Sequence, residues 1–177
     1  LILETLRASA CADCGERDLE VLEFDHLRDK EANVAALVGS RYRLDRVRAE
    51  IEKCEVVCAN CHRHRTGRRA GWRRADPNWR GTLDGLEAAV RRNVRFIYGT
   101  LEASTCADCG QREIVALDFD HIGTKRAAVT NLAWSGASLK RVIAEIAQCQ
   151  VRCANCHRRR TFSTRGSYRT GAAPPRA

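Results

Sequence analysis

Ten cysteines stand at positions 11, 14, 54, 58 and 61 and again at 106, 109, 149, 153 and 156. In each set a Cys-x-x-Cys pair is followed, 43 residues on, by a second such pair, the spacing of two knuckles that clamp one tetrahedral zinc. A knuckle places two thiolates on one small loop, and thiolates are soft enough to select zinc over magnesium or calcium. The spacing assigns Cys11, Cys14, Cys58 and Cys61 to one structural zinc, and Cys106, Cys109, Cys153 and Cys156 to a second. The other reading of paired cysteines, a secreted disulfide framework, does not call for two-residue knuckles. Cys54 and Cys149 are left over, one per set, and read as small core residues.

Each of the first five cysteines recurs 95 positions later without a gap, so the chain is an internal duplication. Cys11 to Thr66 aligns with Cys106 to Thr161, and CADCG, FDH, AEI and CANCHR occur in both copies. Two further groups repeat with the cysteines. One is an Asp-His pair, Asp25-His26 and Asp120-His121; the other is an Asn-Cys-His triplet, Asn60-Cys61-His62 and Asn155-Cys156-His157. A plain zinc module needs neither. Imidazole can take a proton from water near neutral pH, and carboxylate with imidazole is a donor set for a divalent ion. The bland alternatives are a surface pair or helix cap for Asp-His, and a group steadying a zinc thiolate for the knuckle histidine.

The elements that must position these groups come in the same order in both copies. From Leu19 to Asp25, Leu22 and Phe24 alternate with Glu23 and Asp25, as Leu117 and Phe119 do with Asp118 and Asp120, so a period-two strand runs into each Asp-His pair. Strict alternation would send Asp25 and His26 to opposite faces, so a bulge or strand end is expected there if both are to reach one cleft. Glu23 and Asp118 read as strand-face carboxylates. After a variable stretch, Leu44, Val47 and Ile51, with Leu139, Val142 and Ile146 in the second copy, mark a short helix. Glu55-Val56-Val57 and Gln150-Val151-Arg152 then give a second strand, and His62 and His157 open a basic helix.

Ahead of the second copy, Leu83, Leu86, Val90, Val94, Ile97 and Leu101 carry the three-and-four spacing of an amphipathic helix. Leu1 to Leu6 matches Phe96 to Leu101, which implies that the first copy holds only the end of that helix. The expected domains are a first repeat at 1–66, an aperiodic Arg/Gly/Pro linker at 67–82, a second repeat at 83–162 and a flexible basic tail at 163–177.

The 177 residues are 44% apolar and 30% charged, too apolar and too patterned for a wholly disordered chain. Thirty-one basic against 22 acidic residues give a formal charge of +9, and only four of the basic residues are lysine. Arginine pairs two donors with phosphate oxygens, so this basicity points to nucleic acid; a GC-rich genome choosing arginine codons would give the same bias. No apolar run approaches the roughly 18 residues of a membrane helix, and the cytoplasm is the expected location.

Together, CADCG, LEFDH and KCEVVCANCHRHRT, repeated as CADCG, ALDFDH and QCQVRCANCHRRRT, closely resemble the zinc-knuckle form of the HNH endonuclease family of phage and bacterial genomes. The resemblance covers nearly all of both copies. It implies an α+β fold of two tandem, small, zinc-stabilised ββα-metal domains, treble-clef-like and with accessory helices, in a bacterial or phage-infected cell. It implies metal-dependent hydrolysis of phosphodiester bonds in DNA, with RNA kept open, at two sites per chain. Carried over to this chain, His26 and His121 would activate the attacking water. Asp25 with His62, and Asp120 with His157, would each hold one catalytic divalent metal ion, Mg, Mn, Ni or Zn. Asn60 and Asn155 would orient the loop or the base, although the family's Asn usually opens the second strand, where this chain has Lys53 or Gln148. Arg63, Arg65, Arg68 and Arg69, with Arg158, Arg159 and Arg160, would contact the DNA backbone. The protein would be a monomer whose repeats could be related by a pseudo-twofold. The alternative is a tandem zinc-binding nucleic-acid adaptor without catalysis.

Overall fold

The computed structural model describes residues 1–39, 43–171 and 173. In the first copy α1 (Ile2–Arg7) leads into β1 (Leu22–His26). Two short helices, α2 (Val34–Gly39) and α3 (Leu44–Ile51), precede β2 (Cys54–Cys58), and α4 (Ala59–Arg69) follows at once. After two 3-10 turns at Arg73–Ala75 and Gly81–Leu83, the second copy repeats the order. Its elements are α5 (Ala88–Glu102), β3 (Leu117–His121), α6 (Val129–Trp134), α7 (Leu139–Ile146), β4 (Cys149–Cys153) and α8 (Ala154–Arg165). The architecture is α+β, with two separate two-stranded antiparallel sheets. Among the described residues, no helix is long and apolar enough to cross a membrane.

In the first sheet β1 pairs with β2 from Leu22 opposite Cys58 to His26 opposite Cys54, and β3 pairs with β4 in the same register. Opposed residues share a face. Glu23, Asp25, Glu55 and Val57 therefore lie on one face of the first sheet, and Leu22, Phe24 and His26 on the other. The expected bulge does not form. Pairing runs unbroken through His26 and His121, and the ladder keeps each Asp-His pair on opposite faces.

Two compact units cut across the repeats: unit 1 is Leu1–His62 with Arg158–Ala177, and unit 2 is Arg63–His157. Helices α4 and α8 each change unit between the knuckle histidine and the arginine after it. Each repeat thus gives its last segment to the unit built on the other repeat's sheet. In unit 1, Arg169 Nη1 donates to the carbonyls of Leu19 at 2.8 Å and Leu22 at 2.6 Å. In unit 2, Arg74 Nη1 donates to the carbonyl of Leu117 at 3.2 Å. Arg74 and Arg169 are 95 positions apart, as are Gly71 and Gly166, which close α4 and α8 with φ of 59° and 80°. The duplication therefore extends into the stretches expected as linker and tail.

The core of unit 2 gathers Trp79, Leu83, Val94, Ile97, Tyr98, Leu132 and Val142, with Trp79 edge-on to Tyr98 at 5.4 Å. Trp79 and Leu83 come from in and beside the stretch read as linker. That stretch has no period because single large side chains, Trp79 in a turn and Leu83 on the second 3-10 segment, carry its burial in place of a helical stripe. Unit 1 has a smaller core of Leu6, Val21, Leu22 and Val57 with Cys11 and Cys58. The tail also departs from expectation: α8 runs to Arg165, Ser167 is buried and Arg169 is seated as described. Residues 172 and 174–177, with Pro174-Pro175, lie outside the described residues.

Hydrogen bonds from a charged donor are worth about 2 kcal/mol, which sets the scale for testing this exchange. Arg169→Ala is expected to loosen β1 and β2 by about that amount, and Arg74→Ala to loosen β3 and β4, although residue 74 follows the first repeat. Native-state hydrogen exchange at the strand amides reads both effects, with the other sheet as internal control. If Arg74→Ala instead deprotects β1, the exchange of segments is wrong.

Candidate metal centres and catalytic groups

The sulfurs of Cys11, Cys14, Cys58 and Cys61 lie within 4.8 Å of one another, as do those of Cys106, Cys109, Cys153 and Cys156. Cys14 Sγ is 3.8 Å from Cys58 Sγ, and Cys109 Sγ is 3.7 Å from Cys153 Sγ. A tetrahedral zinc with Zn–S bonds of about 2.3 Å sets its sulfurs about 3.8 Å apart, so both four-cysteine groups fit a structural zinc. The first knuckle is closed by hydrogen bonds from the Cys11 amide to the Glu16 carbonyl at 2.7 Å and from the Gly15 amide to the Cys11 carbonyl at 2.9 Å. Gly15 adopts φ of 77° there, and Gly110 φ of 76° in the second copy, which a side chain would strain. The Ala12 amide pins this loop to the Val56 carbonyl of β2 at 2.9 Å. Cys58 ends β2 and Cys61 stands in the first turn of α4, so a single point joins loop, strand and helix.

Burial raises the Cys11 thiol, but the amides of Cys58, Cys14 and Asp13 outweigh it and hold the group down to about 7. Cys106 is held to about 7 in the same way by the amides of Cys153, Cys109 and Asp108. The loop amides thus favour thiolate at one cysteine of each cluster, while burial first, with the neighbouring cysteines, pushes Cys14, Cys61, Cys109 and Cys156 up. Cys54 and Cys149 stand outside the clusters, each donating to the carbonyl four residues back, Glu50 at 3.2 Å and Glu145 at 3.3 Å. Burial first, then the nearby Glu50 or Glu145 carboxylate, pushes them up to about 11, and they remain thiols.

One residue after the knuckle, His62 meets the acidic face of the first sheet. Its Nε2 lies 3.4 Å from Asp25 Oδ1, and its Nδ1 is hydrogen-bonded to Glu23 Oε2. Burial raises the Glu23 carboxyl, but His62 and Arg158 outweigh it and keep the group below its ordinary range. A carboxylate can only accept, so Nδ1 carries a proton; on a ring without a second proton, the Nε2 lone pair faces Asp25. Two acceptors then face each other at 3.4 Å, an arrangement that needs a proton or a cation between them. Ligands bound at about 2.1 Å to one ion are separated by about this distance, and a second carboxylate on the other ring nitrogen is the usual support of a metal-binding histidine. The Asp25 and His62 pair therefore fits a divalent ion. In unit 2, His157 Nε2 lies 3.3 Å from Asp120 Oδ1, while its Nδ1 is 3.9 Å from Asp118 Oδ2.

On the opposite face of the sheet His26 points to α3. Its Nε2 lies 2.8 Å from Glu50 Oε1, which also accepts from the amides of Glu31 at 3.0 Å and Ala32 at 3.2 Å. Lys53 Nζ reaches Glu50 Oε2 at 3.0 Å. Burial raises the Glu50 carboxyl, but Lys53, these amides and His26 outweigh it and hold the group down to about 2. A permanent carboxylate favours a His26 proton on Nε2. His121 and Glu145 repeat the pair at 2.9 Å, with the amides of Arg126 and Ala127 in support.

Asp25 with His62 and Asp120 with His157 are thus brought together, whereas His26 and His121 stand across the strand, each on a buried glutamate. Asn60 and Asn155 lie in the first turns of α4 and α8 between the knuckle cysteines. Glu23, Glu50, Asp118 and Glu145 are the site groups that sequence reasoning did not select. The signals were present: Glu50 and Glu145 are the centre of the shared AEI, and Glu23 stands two residues before Asp25 on one strand face.

Of the arginines expected on phosphate, several are engaged by carboxylates of the fold. Arg63 pairs with Asp118 and Arg158 with Glu23, while Arg159 reaches both Glu16 and Asp18 at 2.6 Å. Arg63 Nη1 and Arg158 Nη1 are buried without a hydrogen-bond partner among the described residues. Arg68 and Arg69 are exposed, and Arg65 and Arg160 half-buried. Arg158, His62 and Glu23 line a cavity of about 560 Å³ in unit 1, with Leu6, Phe24 and Val34 on its apolar side. Compared with protein-family models, curated proteins and solved structures, the chain matches none.

The thiolate geometry leads to an expected content of two zinc ions per chain, measured by elemental analysis of the purified protein. Cys58→Ser is expected to remove one zinc and unfold unit 1, since structural zinc contributes on the order of 10 kcal/mol. Loss of both ions from that single variant, or an unchanged fold in strong chelator, would contradict separate structural sites.

Proposed function

We propose that this protein is a metal-dependent nuclease of the HNH kind that hydrolyses phosphodiester bonds in DNA. The observation that carries the reading is the meeting of an aspartate oxygen and a histidine Nε2 at 3.4 Å and 3.3 Å, in both copies, directly after a thiolate knuckle. A divalent cation bound there supplies charge stabilisation for the phosphoryl and leaving oxygens. Asp25 and His62 would hold it, and Glu23 fixes the His62 ring that does so.

His26 would serve as general base once substrate opens the end of β1 enough to bring its imidazole round from the face opposite Asp25 and His62. The ring then takes the proton as water oxygen bonds to phosphorus, the ester P–O bond breaks, and solvent protonates the departing oxygen. The Glu50 carboxylate holds the ring and favours the imidazolium that forms. Arg158, with a buried unpaired Nη1 on the same cavity as His62, is suited to a phosphate oxygen. The formal charge of +9 favours a polyanion, through contacts that position the backbone without reading sequence.

Incubation of supercoiled plasmid with the zinc-loaded chain and Mn²⁺ is expected to produce nicked or linear DNA. The double variant His26→Ala with His121→Ala should be slower by ~100-fold to 10,000-fold, the usual contribution of a general base, with its zinc content unchanged. Full activity in that variant, or in Asp25→Asn with Asp120→Asn, would exclude this mechanism and leave a nucleic-acid adaptor.

A further inference from the structure

We infer that unit 1 alone holds the divalent cation, and that the guanidinium of Arg152 takes the cation's place beside Asp120 in unit 2. The inference rests on the nuclease reading above and divides its two sites. Val57 and Arg152 occupy the same place in the two sheets, opposite Glu23 and Asp118 respectively. Val57 carries no charge. Arg152, only 8% exposed, donates from Nη1 to Asp120 Oδ2 at 3.0 Å, from Nε to Asp108 Oδ2 at 2.9 Å and from Nη2 to Gln150 Oε1 at 2.5 Å. It therefore ties the first knuckle to the carboxylate that would ligate a metal.

Two further differences act in the same direction. Glu55, opposite Asp25, is replaced by the neutral Gln150 opposite Asp120. The acidic face thus presents Glu23, Asp25 and Glu55 in unit 1, but Asp118, Asp120 and a cation in unit 2. The orienting carboxylate differs as well. Both pair with an arginine, Glu23 with Arg158 and Asp118 with Arg63, but Glu23 also reaches His62 Nδ1, whereas Asp118, one methylene shorter, lies 3.9 Å from His157 Nδ1. A divalent ion entering unit 2 would meet a guanidinium already on its ligand and a histidine less firmly turned towards it. One unit charge at such range weakens cation affinity by at least about tenfold.

Mn²⁺ titration of the full-length, zinc-loaded chain, followed by the EPR signal of free Mn²⁺, tests this directly. The thiolate sites do not compete, because they select the softer metal. Wild type is expected to bind one tight Mn²⁺, lost in Asp25→Asn and retained in Asp120→Asn. Arg152→Val should add a second site, at least about tenfold tighter than any residual binding in unit 2, and Asp120→Asn should remove it again. Two equal sites in wild type, or one site that depends on Asp120, would overturn the inference and leave the nuclease reading in place. Absence of Mn²⁺ binding in both wild type and Arg152→Val would overturn the nuclease reading itself, and this inference with it. Should Arg152→Val fail to fold, by its zinc content and circular dichroism, the wild-type, Asp25→Asn and Asp120→Asn titrations decide the question alone.

Discussion

The convergence of four cysteine sulfurs on one point, twice in the chain, is the constraint on which the rest of the structure depends. Among the described residues, the apolar cluster packed about the first four-cysteine group is small: six buried residues, two of them cysteines of the group. Apolar burial on that scale gives little security to a domain of this size, and a zinc-bound cluster contributes on the order of 10 kcal/mol where metal is bound. The same point fixes chemistry. Cys61 and His62 are adjacent in the first turn of α4, so the bond that would close the cluster also sets where the imidazole stands against the strand carrying Glu23 and Asp25. Positioning the reactive pair needs no further loop.

The regular β ladder imposes a second order. Because pairing continues through His26, its imidazole and the Asp25 carboxylate cannot share a face, and each finds its own support. Asp25 meets the knuckle histidine held by Glu23; His26 meets Glu50, whose charge is secured by Lys53 and two amides. The strand end therefore separates the face of Asp25 and His62 from that of His26 and Glu50. Each unit is closed by a segment of the other repeat: Arg169 donates to the carbonyls of Leu19, ahead of β1, and Leu22, its first residue, and Arg74 to that of Leu117 in β3. Arginines that composition alone directs to phosphate thus also serve to hold the strands that carry the reactive groups.

What could be read from the sequence was whatever repeats or has a period. Cysteine spacing located both clusters, alternation located β1 and β3, and the identical Asp-His and Cys-His steps located the groups that meet at 3.4 Å and 3.3 Å. What escaped lacks a periodic signature. Trp79 buries one large side chain from the turn between two 3-10 segments, so the stretch around it read as linker. Arg74 and Arg169 act through single hydrogen bonds to distant carbonyls, and no local pattern marks such a residue. Glu50 lay in plain view within AEI, but its role depends on α3 packing beside the end of β1, which no spacing rule conveys. The exchange of end segments between units is a property of the tertiary fold, to which both swapped and unswapped chains with these local patterns conform.

Among the places where the two copies diverge, one lies beside the aspartate. The knuckle loops, the Asp-His pairs and the CANCHR turns are the same, whereas Lys53, just before the second strand, and Glu55 and Val57 within it become Gln148, Gln150 and Arg152. These positions alter the charge around the reactive face without altering the backbone that carries it, since both sheets keep one register. Electrostatic interactions in a half-buried site act over several ångströms and are only partly screened, so substitutions beside a ligand can change cation affinity while every ligand remains. An identical set of candidate ligands therefore does not define two identical sites. The strand opposite the aspartate decides whether that carboxylate has a guanidinium beside it, as Asp120 has Arg152, and that strand is one of the places where the duplicated halves differ.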